Sequence, residues 1–317
     1  MPKIRIRAAR AADRADVEAL CAQIWEETDD YVPNVWDDWL ADSSGRLIVA
    51  EMRDRVIGLA KLTQLTPRQW WLEGLRVSPE HQHQGVGGKL HAHLVEAFSQ
   101  TEQGTLRFGT HSENQPVHRL AARHGFRHVA TYRLYEAEPL RTEPAAPLGQ
   151  LTAADLDSTW KLVQNSPRYR ASGGLVEAFW SWETFTRERL AQHLSGGRVW
   201  ANDTQDRPAA LALTCETDKE DAVDIGYVDG HRDAMGKLLL SLRQLAAQQG
   251  CDKVRFRAVD EPELTSVVEQ AGYQSGWDRD LWIFELSAGR PATQAEPSFY
   301  DQASNSSAPN PTSGRTA

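Results

Sequence analysis

Three glycines fall within four residues at Gly85, Gly87 and Gly88, inside the stretch Val77-Ser78-Pro79-Glu80-His81-Gln82-His83-Gln84-Gly85-Val86-Gly87-Gly88-Lys89-Leu90. The run before it reads as a strand and the run after it as a helix. Glycine lets a backbone come close to a ligand and present its N–H groups. A helix that starts there adds further free N–H groups and the positive end of its dipole. Together these make a pyrophosphate cradle. A strand, a glycine loop and a helix in that order restrict the chain to folds that mix strands with helices.

The surrounding pattern gives the order β-α-α-β-β-β-α-β-α-β over about the first 137 residues. Strands are expected at Ile4–Ala8, Arg46–Glu51, Val56–Leu62, Gln69–Val77, Gly104–Gly109 and Arg127–Ala137. Helices are expected at Ala12–Glu27, Val35–Leu40, Val86–Phe98 and from Asn114 to Gly125-Phe126. Asn114 is placed to cap the last of these, with Pro116 tolerated in its first turn. Pro139, Pro144 and Pro147 then mark a linker over 139–147.

The order recurs after the linker. Strands are expected at Leu148–Leu151, Arg198–Ala201, Pro208–Thr214, Ala222–Val228, Lys253–Ala258 and Leu281–Leu286. Helices are expected at Ala153–Val163, Leu175–Leu194, Met235–Gln248 and Pro262–Ala271. Gly125-Phe126 and Gly272-Tyr273 stand 147 positions apart, and Gly88-Lys89-Leu90 matches Gly236-Lys237-Leu238 at nearly the same offset. The repeat points to a duplicated domain: 3–138 and 148–287. The segment 288–317, rich in Pro, Ser, Ala, Asn and Thr, reads as a disordered tail.

With 317 residues, two domains are the default expectation. A formal net charge of −9 does not favour nucleic acid or an anionic membrane as partner. Cys21, Cys215 and Cys251 show no metal-ligand or disulfide spacing, so no metal is expected. The N-terminus has no apolar signal core, and no run is long enough to span a bilayer. A cytoplasmic protein is expected.

Gln82-x-x-Gly85-x-Gly87, between a strand and a helix, resembles the acetyl-CoA motif of the Gcn5-related N-acetyltransferase (GNAT) superfamily. Asn114, Leu120 and Gly125-Phe126 match the family's second signature at the expected distance. A P-loop lacks its Lys-Ser/Thr ending here, and a Rossmann fingerprint lacks its βαβ context. The resemblance implies an α/β (α+β) fold: tandem GNAT domains, each a mixed, mainly antiparallel sheet flanked by helices. It implies acetyl-CoA as cosubstrate, with the backbone of Gln84, Gly85, Val86, Gly87 and Gly88 on the pyrophosphate. Gln82, His83 and Lys89 belong to the same loop. Leu75, Arg76 and Val77 would pair with the pantetheine arm, and Asn114 would contact it or order its helix.

The reaction implied is direct transfer of acetyl to a primary amine, with a small-molecule acceptor as the leading reading. A protein or peptide acceptor and a non-catalytic CoA-binding sensor are the alternatives. An amine attacks only when neutral, so a base helps. Glu73 is the first candidate, four residues before Val77, where strict alternation puts both on one face. His81 and His83 are alternatives, and His118 is a surface helix residue or a CoA contact. Where the family often has an acidic tyrosine, after Leu120, this chain has Ala121. Tyr132, Tyr135 and Ser112 are the substitute acids.

In the second copy, Asp233 or Met235 stands where Gly85 would be, which predicts a degenerate site. The tandem arrangement resembles mycothiol synthases, in which the C-terminal copy is the active one. Trp25, Trp36, Trp39, Trp70, Trp71, Trp180 and Trp182 are candidates either for an apolar acceptor pocket or for ordinary packing.

Overall fold

In the computed structural model, residues 3–24, 30–101, 103–142, 147–202, 208–215 and 221–288 are described. The first half runs β1 (Arg5–Ala8), α1 (Arg14–Ile24), α2 (Val32–Ala41), β2 (Arg46–Met52), β3 (Arg55–Thr66), β4 (Gln69–Val77), α3 (Val86–Ser99), β5 (Thr105–His111), α4 (Gln115–Arg123) and β6 (Arg127–Ala137). This is the order expected from the sequence. Trp25 and the expected end of the first helix lie outside the described residues, as do 143–146 of the linker and 289–317 of the tail.

The strands alternate between two cores. On β2, Leu47 and Val49 pack with Val17, Leu20 and Trp36 of α1 and α2. Ile48 and Ala50 point the other way, to Leu90, Leu94 and Phe98 of α3. The period of two in the strand thus places α1 and α2 on one face and α3 and α4 on the other.

The second half follows with β7 (Gly149–Gln150), α5 (Leu156–Val163), α6 (Pro167–Ala171), β8 (Leu175–Glu177), β9 (Trp182–Thr184), α7 (Arg187–Ser195), β10 (Val199–Ala201), β11 (Ala210–Thr214), β12 (Ala222–Gly230), α8 (Arg232–Gln249), β13 (Lys253–Val259), α9 (Pro262–Gln270), β14 (Gln274–Ser275) and β15 (Leu281–Ser287). One expectation fails here. Leu175–Leu194 is not one helix: β8 and β9 form a hairpin, and only Arg187–Ser195 is helical. Its turn is made by Phe179 (φ 46°) and Trp180 (φ 64°). A two-residue turn of this kind favours Asn or Gly, so two aromatics there gave no hairpin signal.

The two halves share one sheet, ordered β1-β2-β3-β4-β5-β15-β6-β13-β12-β11-β10-β7 with β14 beside β6. The last strand of the second half, β15, lies between β5 and β6 of the first. In return, β6 pairs with β13. Each half thus completes its sheet with a strand from the other. Phe284 on β15 stacks on Phe108 of β5 with ring centroids 5.2 Å apart, so the exchange is packed as core. Among the described residues, no helix is long and apolar enough to cross a membrane.

Candidate active site

The site begins where two parallel neighbours separate. β4 pairs with β5 only from Gln69 to Trp71, opposite Thr105 to Arg107. Beyond that row β4 runs on to Val77 and β5 to His111, with no further pairing between them. The open carboxyl ends of such strands are the usual ligand crevice in sheets of this kind.

The glycine loop closes one side of the opening. Pro79–His81 makes a single tight turn, His83 takes a positive φ of 60°, and Gly85 (φ 78°) caps α3. Among the described residues, the N–H groups of His83, Gln84, Gly85, Val86, Gly87 and Gly88 find no backbone or side-chain acceptor. A Cβ at Gly85 would meet nothing within 4 Å, so the space beside Gly85 is open. A Cβ at Gly87 would lie 3.6 Å from Val77, and one at Gly88 3.5 Å from Leu120, which sets the helix start between β4 and α4. The Gln84 side chain is turned back to donate to the Glu80 carbonyl at 2.9 Å. On the other side Asn114 caps α4, accepting from Val117 N–H at 3.4 Å and donating to Thr110 at 3.0 Å. Two helix N-termini therefore flank the gap, an arrangement that suits an anion.

The opposite face of the sheet carries the candidate base. Glu73 accepts from the Thr63 hydroxyl and pairs in register with Lys61. It does not share a face with Val77. Between Leu59 and Lys61 of β3 the register shifts, with Arg76 and Glu73 opposite them, so β4 carries an extra residue at Gly74–Leu75. Gly74 has φ 64°, and a Cβ there would sit 2.5 Å from the Trp39 ring. The bulge flips the alternation. Leu72, Leu75 and Val77 go to the α3 side, and Glu73 goes to the α1–α2 side. Burial pushes the Glu73 carboxyl above its ordinary range, although the Thr63 hydrogen bond and Lys61 pull it down. A raised carboxylate is the better base near neutral pH.

Neighbouring groups hold this face. Arg76 and Asp30 form a two-point pair at 2.7 and 3.0 Å, and Arg76 lies 5.4 Å from the Tyr31 ring. The Tyr31 phenol lies against the Gly74 backbone and within reach of the Glu73 charge. Lys61, fully buried, pairs with Asp42.

Other expected residues are placed elsewhere. Tyr132 is 3% exposed, its ring 5.1 Å from Trp182, and burial raises its phenol well above the ordinary value. Tyr135 is also buried, its hydroxyl 3.5 Å from Glu269 of α9. Both belong to the interior between the halves rather than to the open strand ends. Ala121 is fully buried. His118 is buried too, stacked at 4.9 Å on Trp282, because the exchanged strand β15 covers it. Trp36, Trp71 and Trp182 are core, Trp70 is partly buried against α3, and Trp39 packs on Gly74. Sequence reasoning missed Gly74 and Tyr31. An isolated glycine in a strand is a bulge signal; a tyrosine before a proline-started helix carries none.

Residues 13–126 match the family model described as "Acetyltransferase (GNAT) family". That segment is a GNAT domain. Three solved structures share the fold across nearly the whole chain. A GCN5-related N-acetyltransferase from Sphaerobacter thermophilus is 17% identical with TM-score 0.62, covering 90% of this chain and 95% of that one. A putative acetyltransferase from Thermoplasma acidophilum is 17% identical with TM-score 0.57, covering 89% and 99%. A tandem GNAT protein from the clavulanic acid biosynthesis pathway is 16% identical with TM-score 0.55, covering 91% and 100%. Among curated proteins, none matches the chain by sequence. The specific likeness to mycothiol synthases gains no support from these comparisons. The GNAT family consists of acetyltransferases that use acetyl-CoA, so the chain is classed as an acyltransferase.

The second half has no loop like that of the GNAT domain. β12 ends at Gly230 and α8 begins at Arg232, so only His231 stands between them, as the helix cap. Asp233 is exposed in the first turn and Met235 is buried. The sequence places one of them at the position of Gly85; in the structure both lie inside α8 and His231 takes the capping place. The space beside the strand end is filled by Arg168 of α6. It bonds Asp229 at 3.0 Å, the Gly230 carbonyl at 2.6 Å and Glu263 of α9 at 2.7 Å. Glu261 caps α9 with its carboxylate, accepting from Leu264 N–H at 2.9 Å. Where the GNAT domain offers a neutral Asn114 and free amides, this half presents carboxylates tied to a buried guanidinium.

Proposed function

We propose that the chain transfers an acetyl group from acetyl-CoA to the primary amine of a small molecule, in the cleft of residues 3–138. The observation that carries this reading is the row of six unpaired backbone N–H groups beside splayed strands, with Glu73 across the sheet. The splay suits the pantetheine arm, which would pair with the backbone of Leu75, Arg76 and Val77. The amides from His83 to Gly88 suit the pyrophosphate, with Gln82 and Lys89 at its rim. Asn114 keeps the β5 side of the cleft in place.

The thioester would lie beside the Gly74 bulge, where backbone N–H groups of β4 stabilise the tetrahedral oxyanion. The amine nitrogen attacks the carbonyl carbon, its proton passes to Glu73, and the C–S bond breaks with the pair leaving on sulfur. With Ala121 at the usual acid position, the thiolate departs without a helix-borne tyrosine. Residues 148–287 act as a partner half that completes the sheet through β15 and binds no CoA.

Titration calorimetry with CoA should give one site per chain. CoA-thiol release, followed with a thiol reagent, should appear with small primary amines. E73Q should keep CoA binding and lose about 100-fold in kcat, within the usual range for a general base. Turnover with lysine peptides alone would make the acceptor a protein. CoA binding without turnover on any amine would make the chain a sensor.

A further inference from the structure

The acceptor face of the first half is bordered by a segment from the second. Among the described residues, only two large apolar side chains are strongly exposed: Tyr31 at 43% and Trp180 at 42%. Tyr31 stands at the start of α2, on the α1–α2 side of β4 and close to Glu73. Trp180 tops the β8–β9 hairpin, which lies over the same sheet face from the other side. The hairpin is anchored there by Trp182, 5.8 Å from Trp71, and by Thr184, whose hydroxyl takes a hydrogen bond from Arg107 at 2.9 Å. Glu73 is two residues beyond Trp71 on that face, before the bulge.

The tip is built at a cost and held firmly. Phe179 and Trp180 both adopt positive φ, which is strained for large side chains. Such strain persists only where surrounding structure over-determines it, and it gathers at functional sites. Here Trp180 N–H bonds Glu177 at 3.0 Å, Glu177 takes Arg257 at 2.5 Å, and Arg257 also meets Asp224 at 3.3 Å. Glu177, Arg257 and Asp224 are all at most 2% exposed. The Arg257 guanidinium lies 4.2 Å from the Trp180 ring centroid. Trp277 packs on Trp180 at 5.4 Å and on His111 at 5.0 Å, which carries the wall to the open end of β5.

We propose that Trp180, Trp277 and His111 form the acceptor wall, so that the second half selects amines bearing a neutral, planar apolar body. This rests on the reading of the cleft as an acetyl-transfer site. One face of the Trp180 ring already carries a guanidinium. That cation draws on the same ring quadrupole, so the exposed face holds a second cation less well. Burial and the nearby Arg279 keep the His111 imidazole below its usual pKa, although Asp278 and Glu113 pull it up, so near neutral pH the ring is uncharged and offers an apolar face. An uncharged ring stacks on this wall while its amino group reaches Glu73.

The test compares 2-phenylethylamine with butylamine and spermidine. In the parent protein, kcat/KM should favour 2-phenylethylamine at least tenfold over both. W180A and W277A should each raise the KM for 2-phenylethylamine about tenfold and leave its kcat within twofold. The KM for acetyl-CoA and the constants for butylamine should not move, and W180F should restore most of the loss. Equal losses on all three amines, no loss at all, or a parent preference for spermidine overturns the proposal. If the parent turns over no amine, the acetyl-transfer reading itself fails. Calorimetry of 2-phenylethylamine binding to the CoA complex then decides the wall alone: binding in the parent lost in W180A upholds it, and no binding in the parent sinks it.

Discussion

Apart from the β8–β9 hairpin the two halves have nearly the same element order, and they differ most where β4 meets α3 and β12 meets α8. In the first half, Ser78 to Gly85 separate β4 from α3. In the second, His231 alone separates β12 from α8. Both strands bulge at a glycine: Gly74 opposite β3, and Gly226 beside the register shift at Leu213/Thr214. The fold therefore keeps the bent strand in both halves and spends it differently. One half leaves the strand end open under free amides. The other fills the end with Arg168 and three carboxylates. A cleft of this kind is opened or closed by a few residues without disturbing the sheet.

The sharpest way to break the comparison is to remove the plug. Arg168 and Asp229 are 5% and 0% exposed. R168M leaves the Asp229 charge buried with no guanidinium, and losing one partner of such a pair costs about 3–5 kcal/mol. Thermal unfolding should show a fall in Tm of several degrees. R168M/D229N should recover much of it, because the orphaned charge is gone. CoA stoichiometry should stay at one in both variants. Two sites would mean that the plug alone closes the second half.

The converse change acts on the open cleft. G87V puts a branched side chain between the helix start and Val77, in the path of a ligand that must approach the backbone. CoA affinity should fall about 100-fold, or about 2.7 kcal/mol, with little change in Tm. Retained affinity would show that the amide row is not where the pyrophosphate lies.

Acid should weaken both halves through buried histidines. Burial holds His91 on α3 at about 4, and burial with Arg189 and Arg198 nearby holds His193 on α7 at about 3. Both are nearly inaccessible. The unfolded chain binds these protons near pH 6.5 and the folded chain does not, so stability falls as pH drops below about 6.5. At pH 5 each site contributes a loss of about 2 kcal/mol, from 1.36 kcal/mol per unit. Denaturant midpoints measured at pH 7 and pH 5 should differ less in H193F than in the parent; an equal difference would discard the assignment.

Much of this was legible in the chain. Periodicity located every strand and helix of the first half but not α6, β8, β9 or β14 of the second, and the glycine loop and Asn114 stand beside the gap between β4 and β5. Three features were not legible, each for a physical reason. The strand exchange is a tertiary choice: β15 reads as a good strand wherever it docks. The hairpin tip uses Phe179 and Trp180 at positive φ, against local preference, so only the tertiary packing reveals it. The Gly74 bulge inverts the alternation on which the face of Glu73 was judged. The residue was found, but on the other side of the sheet from Val77.

That side change leads to the smallest effect and the finest test. As the proposed base, Glu73 would have to be ionised to take the amine proton, so kcat/KM should fall tenfold per unit as pH drops below its raised pKa. The charges that act on it are Lys61, which lowers the pKa, and Asp42, which raises it, and Lys61 has the larger effect. Replacing both as K61M/D42N avoids a lone buried charge and removes both influences. The larger, downward one is then lost, so the acid limb should move to higher pH. The same variant in an E73Q background should show no such limb. A limb that moves down, or that survives E73Q, would assign the proton to another group, with His81 and His83 of the glycine loop the first to examine by the same pH profile.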